Sequence, residues 1–437
     1  MKKIICSLST LFLLVAFLHA QETVYPTPPY IGKLYITNAT VHIGNGSVLE
    51  TATVEVNNGK IVQVATNITP GSGAKVVDAK GKHVYPGLIL PTSDLGLKEI
   101  GSGVRASNDV VELGDFNSNI RSITAYNTDS RVINILKANG ILLASVTPEG
   151  GVISGSSTVV QLDAWNWEDA AYKMDAGIHL NMPSFINRSG RRGGGRGIIA
   201  TEPVDPTRAA LDKVDNIKSF FTQAKAYLAE PTHKNINLKL EAVKGLFTKQ
   251  QKLFVHADQV KQMLIAIDFV KEFGFDVVII GASESFLIAD LLKQNNIAVI
   301  LGEEHALPTT EDDDVDQPYK TPAVLQKAGV LFALNDGSEN ARYRNLSYNA
   351  GTAVTYGLTK EQALQAITLS AAKILGIDAT TGSLEAGKDA NIIVTEGDIL
   401  DMKSSTVTHA FIQGREVSLD NKQKELYERY KYKYGIK

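Results

Sequence analysis

The stretch His83-Val84-Tyr85-Pro86-Gly87-Leu88-Ile89-Leu90-Pro91-Thr92-Ser93-Asp94 decides how this chain is read. Residues 85–90 carry the apolar texture of a buried strand, and later segments repeat it with helical periods between them. Further strands are predicted at 141–147, 158–162, 178–182, 253–256, 277–280, 298–301 and 331–335. Helices are predicted over 130–138, 206–228, 237–247, 258–273, 284–294 and 323–328. Eight apolar, β-branched strands with helical crossovers predict an α/β fold, a TIM-like (β/α)8 barrel. The segment 158–162 reads equally well as half of a hairpin.

Upstream, the short runs Leu34-Tyr35-Ile36, Thr40-Val41-His42-Ile43, Thr53-Val54-Glu55-Val56 and Ile61-Val62-Gln63-Val64 are separated by Asn45-Gly46 and Asn57-Asn58-Gly59-Lys60. That is the pattern of a small antiparallel sheet. Downstream, Ile392-Ile393-Val394 and Val407-Thr408-His409-Ala410-Phe411-Ile412 have the same texture, with Gln413-Gly414 as a turn. Neither end supplies enough strands for a stable sheet alone, so one β-sandwich built from both ends is expected, with the barrel inserted in it. The expected divisions are a signal peptide at 1–20, a proline-rich linker at 21–31, sandwich at 32–84, barrel at 85–379, sandwich again at 380–419 and a charged, tyrosine-rich helix at 420–437.

The 437 residues, 44% hydrophobic and 21% charged, are ordinary for a globular protein. A formal net charge of −3 gives no reason to expect nucleic acid or an anionic membrane as partner. Lys2 and Lys3 precede an apolar run from Ile4 to Leu18, and His19-Ala20-Gln21 offers a cleavage site, so export to the periplasm or medium is expected. No other stretch approaches the ~18 apolar residues of a membrane span. Cys6, inside that signal, is the only cysteine, which removes disulfides and cysteine chemistry from the expected mature chain.

Several segments resemble the metal-dependent amidohydrolase superfamily, in its imidazolonepropionase-like branch. Val77-Asp78-Ala79-Lys80-Gly81-Lys82 with the quoted stretch is similar to that family's passage from sandwich to first barrel strand. Ala371-Ala372-Lys373-Ile374-Leu375-Gly376 and Gly382-Ser383-Leu384-Glu385-Ala386-Gly387-Lys388-Asp389-Ala390 are similar to its return. The resemblance implies a hydrolase of C–N bonds, in cyclic amides or peptide-like substrates. It also implies a metal held by His-x-His on strand 1, histidines on strands 5 and 6 and an Asp on strand 8, the last acting as base toward a metal-bound water.

Against that pattern the chain keeps His256 in Val255-His256-Ala257 and Asp336 in Asn335-Asp336-Gly337, the two candidate catalytic residues. Thr92 and Asp94 stand at the His-x-His positions and Gly281 at the strand-6 histidine, so Thr92 and Gly281 count as lost ligands. A hydroxyl ligates zinc poorly and glycine has no donor, whereas Asp94 can serve as an oxygen ligand. A rebuilt set would be Asp94, His179, His256 and Asp336. The expected cofactor is none, or a single weakly held divalent cation, zinc by the resemblance.

Glu303, His305, Trp165 and Trp167 are candidates to line a pocket at the barrel mouth. The Arg/Gly-rich loop 188–197 and the acidic loop 311–316 read as solvated loops, with an anion clamp and a Ca²⁺ site as their functional alternatives. Two functions remain open. One is an exported amidohydrolase acting on a small-molecule substrate. The other is a metal-free pseudoenzyme that binds a ligand, a second copy or an active sister amidohydrolase subunit.

Overall fold

The computed structural model describes residues 25–99, 108–185, 205–308, 312–337 and 340–436. The signal-peptide reading at 1–20, the loop 188–197 and Glu311 lie outside the described residues.

The two chain ends form one sheet. Its strands are β1 (Lys33–His42), β2 (Val48–Asn57), β3 (Lys60–Ala65), β4 (Lys75–Asp78) and β5 (His83–Pro86). The barrel strands β6 to β13 follow: Leu88–Ser93, Ile141–Val146, Ile153–Gln161, Ala171–Asn181, Lys252–Ala257, Val277–Gly281, Ala298–Glu303 and Phe332–Asn335. The chain then returns to the first sheet with β14 (Ile392–Thr395), β15 (Val407–Ile412) and β16 (Arg415–Glu416). The order β16-β15-β14-β5-β1-β2-β3, with β4 beside β1, joins the ends where β5 pairs antiparallel with β14, Tyr85 opposite Ile393. Alternate residues such as Leu34, Ile36, Val54, Val56, Ile392 and Phe411 bury a core of their own.

The second sheet runs in order from β6 to β13, with β13 returning beside β6 to make a nearly closed barrel. All eight expected strands are present. One detail departs from a strict (β/α)8 chain: β8 runs antiparallel to both β7 and β9. The reason is length. Only residues 147–152 connect β7 to β8, and a parallel crossover needs about a dozen residues or more. Gly150 and Gly151, at φ +86° and +63°, make the reversal instead. The hairpin alternative for 158–162 is the one realised.

That reversal sends the β8–β9 connection to the floor of the barrel. Trp165 and Trp167 sit on it, 62% and 40% exposed, and Trp165 packs against Tyr25 at a ring distance of 5.9 Å. The expectation that these two tryptophans wall the mouth is therefore corrected: they lie at the opposite end.

The floor is also where the sheets are pinned together. The Asp163 carboxylate accepts from Lys137 Nζ (3.1 Å) and from the Thr27 backbone N–H (3.0 Å), and Arg415 of β16 lies 3.5 Å away. Arg415 also donates to the Asp163 carbonyl at 2.9 Å. Lys137 and Asp163 side chains are 3% and 2% exposed, so removing one partner strands a buried charge. Asp163→Ala is expected to lower the unfolding free energy by about 3–5 kcal/mol in denaturant titration. A loss under about 1 kcal/mol, the size of a surface pair, would contradict this pinning role.

Candidate functional site

The C-terminal ends of the parallel barrel strands meet at the mouth, and each brings one or two polar side chains. On β9 and β10, His179 and His256 form a pair, with Nδ1 of the first 3.0 Å from Nε2 of the second. His179 stacks on Phe254 at 4.9 Å, and its Nε2 is buried without a partner. Burial pushes His179 well below the ordinary imidazole range and His256 down to about 4. Both rings are neutral near pH 7, and the His256 nitrogen that faces His179 is engaged by it.

At the end of β6, Asp94 is buried at 3% exposure. Tyr343 donates its hydroxyl to Asp94 Oδ1 at 2.7 Å and accepts from the Asp94 N–H at 3.2 Å. Lys98 Nζ stands 3.8 Å from Oδ2. Burial nonetheless raises the Asp94 carboxyl, and it raises Glu149, which Asp94 raises further. Thr92 shares a hydrogen bond with Thr147, 3.2 Å between hydroxyls.

Gly281, at the end of β11, has φ +92°. A Cβ built there would stand 2.5 Å from Asp258 Oδ1. An imidazole there would need a backbone conformation that side-chain-bearing residues rarely adopt, and Asp258 would have to move. Asp258 Oδ1 accepts from Ser283 Oγ at 2.9 Å, and the Asp258 N–H is held by Gln262 at 3.0 Å.

Beyond β12 and β13, Glu304 and Asp336 are buried near one another. Asp336 Oδ1 accepts from the Gly337 N–H at 2.7 Å, while Oδ2 has no partner. Neither carboxyl oxygen of Glu304 has one. Burial, and secondarily Asp336, pushes Glu304 well above the carboxylate range; burial also raises Asp336. His305 Nε2 bonds Thr352 Oγ1 at 2.8 Å and its positive form would favour the Asp336 anion. Glu303 pairs with Arg342.

The mouth thus gathers three groups: His179 with His256, Asp94 with Tyr343 and Lys98, and Asp336 with Glu304 and His305. The rebuilt metal set of Asp94, His179, His256 and Asp336 is not assembled as a coordination shell. Among the described residues no group of three or more His, Asp or Glu is placed to hold a metal ion. The donor chemistry agrees, because Asp94 already faces a phenol and an ammonium, and Gly281 offers nothing. The residues present do not fit a binuclear metal centre, which needs several imidazoles and carboxylates free to ligate. Sequence reasoning missed Glu304 and Tyr343. Of the adjacent Glu303 and Glu304, nothing in the spacing tells which is buried, and Tyr343 lies on a helical turn with no motif of its own.

A profile described as the amidohydrolase family matches residues 236–417. The chain is similar to an imidazolonepropionase of Picrophilus torridus, 30% identical over 39% of this chain and 43% of that protein. An imidazolonepropionase of Mesorhizobium japonicum is 24% identical over 74% of this chain and 80% of that one. The chain therefore matches less than half the length of the first relative and most of the second. A solved amidohydrolase of Thermotoga maritima superposes with a TM-score of 0.74 at 26% identity, covering 88% of this chain and 99% of that one.

The buried imidazoles set a pH dependence. His256 titrates at about 4 in the folded protein against 6.5 for the free group. A depressed imidazole contributes stability that is present above pH 6.5 and lost as pH falls toward 4, up to roughly 3 kcal/mol. The raised carboxyls act in the opposite sense, so the effect is read as a difference. Relative to the wild type, His256→Gln will lose less stability between pH 6.5 and 4 in denaturant titrations. A constant difference across that window would contradict the burial of His256.

Proposed function

The chain belongs to the amidohydrolase superfamily, in its imidazolonepropionase-like branch, and from that premise we propose that its barrel mouth is a small-molecule site working without its relatives' metal centre. The family typically uses a divalent metal. The observation that carries the proposal is the fate of the ligand positions: Asp94 is held by Tyr343, and Gly281 sits in a left-handed conformation with Asp258 against it. On this reading the protein is a ligand-binding member of a hydrolase family.

A second reading, hydrolysis of a C–N bond in a cyclic amide or peptide-like molecule, is favoured by the Glu304–Asp336 pair. Two buried carboxyls resist both being charged, and this reading would use them with one proton between them, Glu304 protonated and Asp336 ionised. Asp336 would take a proton from water as the water oxygen bonds to the carbonyl carbon. Glu304 would give its proton to the nitrogen as the C–N bond breaks. The proton gained by Asp336 replaces the one lost by Glu304, and the products are a carboxylic acid and an amine. His256, neutral and beside the mouth, would orient the substrate by hydrogen bonding.

Export, as the 1–20 signal reading implies, and pairing with a second copy or a sister amidohydrolase subunit belong to the same proposal. Among the described residues no helix is long and apolar enough to cross a membrane.

The test is elemental analysis of the purified full chain after dialysis without chelator, with amide hydrolysis assayed in parallel. Well under one equivalent of zinc, manganese or nickel per chain is expected. Hydrolysis that resists chelator and falls ~10²–10⁴-fold in Asp336→Asn would select the second reading; no hydrolysis would select the first. Two equivalents of metal, with activity abolished by chelator, would overturn both.

A further inference from the structure

The helix Lys422–Tyr434 buries none of its residues. Its sequence nonetheless specifies it at both ends. The Asn421 side chain caps the start by accepting from the Lys424 N–H at 3.0 Å, and Gly435, at φ +61°, ends it in the left-handed conformation. A helix of this length is marginal in water unless one of its faces is covered. Two caps and no buried face call for a partner outside the chain.

The uncovered face has a definite make-up. At 3.6 residues per turn Tyr427, Tyr430 and Tyr434 fall on one stripe, and all three are more than half exposed. Tyr430 and Tyr434 stack with ring centres 6.3 Å apart. Lysines border the stripe on both sides, Lys422 and Lys433 along one edge and Lys424 and Lys431 along the other. Lys431 lies over the Tyr427 ring at 5.4 Å, and Lys433 over the Tyr434 ring at 5.0 Å. Glu425 and Glu428 sit on the far side, where they meet Lys422 and Lys431 in exposed pairs of little strength. Residues 421–437 hold six Lys or Arg and two Glu, a local charge of +4 on a chain whose total is −3.

We propose that this helix lies flat on an anionic lipid bilayer, with the tyrosine stripe toward the headgroups and the lysines at the level of the phosphates. Clusters of about four to eight basic side chains on one helix suit an anionic lipid surface. Tyrosine, with an apolar body and a polar tip, favours the boundary between water and lipid, and lysine stems let the ammonium groups reach sideways to phosphate. The placement favours a bilayer over other polyanions: cations run along both edges of an aromatic stripe and the carboxylates lie opposite, as on a plane with water above and lipid below. The helix is about 20 Å long, short of the ~30 Å hydrocarbon core, so it rests on the membrane and does not cross it. The inference is independent of the chemistry at the barrel mouth.

Co-sedimentation of the full chain with vesicles tests it. Vesicles of phosphatidylcholine alone are compared with mixed phosphatidylcholine–phosphatidylglycerol vesicles. Binding at least ~10-fold tighter to the mixed vesicles is expected, weakening as salt is raised. Lys422→Gln, Lys424→Gln, Lys431→Gln and Lys433→Gln together should weaken it ~10-fold or more. Tyr427→Ser, Tyr430→Ser and Tyr434→Ser together should weaken it too, which attraction between charges alone would not do. Because the helix buries nothing, both variants should unfold at the temperature of the wild type, which separates lost binding from lost folding. Equal binding to the two kinds of vesicle, no binding to the mixed ones, or full binding by either variant would overturn the proposal. Tighter binding to a single-stranded oligonucleotide than to the mixed vesicles would overturn it by making the helix a nucleic-acid tail. An oligomer of the vesicle-free chain that the tyrosine variant dissociates would overturn it by making a second copy the partner.

Discussion

The barrel mouth has to bury more carboxyl groups than it has cations to meet them. Asp94, Glu149, Glu304 and Asp336 all have their protonation raised by burial. The basic groups at hand among the described residues are Lys98, which stands beside Asp94 and also favours the Glu149 anion, Arg342, which is paired with Glu303, and His305 near Asp336. A charged carboxylate out of water is costly unless it is paired or supplied with donors. Each residue around it answers that constraint. Tyr343 turns its hydroxyl onto Asp94, the Gly337 N–H serves Asp336, and Glu304, given nothing, is pushed toward its neutral form. In a metal-bearing relative the cation would do much of this neutralising. On the metal-free reading proposed above, hydrogen bonds and protonation would take over part of the task.

The rest of the molecule leaves the mouth free to be rebuilt. The sheet from the chain ends attaches at the floor, through β5 running into β6 and through Asp163, Lys137 and Arg415. The strands are held by their ladders and by an apolar core that reaches the mouth at Tyr343. That separation of scaffold from site is why the return segment 371–390 speaks for the fold and not for the chemistry at the mouth.

The scaffold was legible because it is periodic. Apolar runs at the observed spacing placed all eight barrel strands, and the matched texture of residues 32–65 and 389–417 placed the shared sheet. Strand direction was less so: periodicity carries no sense of direction, and Trp165 and Trp167 fall at the floor because β8 runs antiparallel to its neighbours. The shortness of 147–152 was the available signal. In the polar site, motif positions marked Thr92, Asp94, His256, Gly281 and Asp336, whereas His179 and His305 were named without any spacing motif behind them. Tyr343 meets Asp94 across 249 residues of sequence. Glu304 differs from Glu303 only in which side of the strand end it faces, which depends on how β12 terminates.

The infrared spectrum of the carboxyl stretches measures the constraint itself. At neutral pH the account predicts a protonated carboxyl band in the ligand-free full chain that disappears in Glu304→Gln. A wild-type spectrum with ionised carboxylates only, unchanged by that substitution, would mean that a cation already neutralises Glu304, and it would contradict the account.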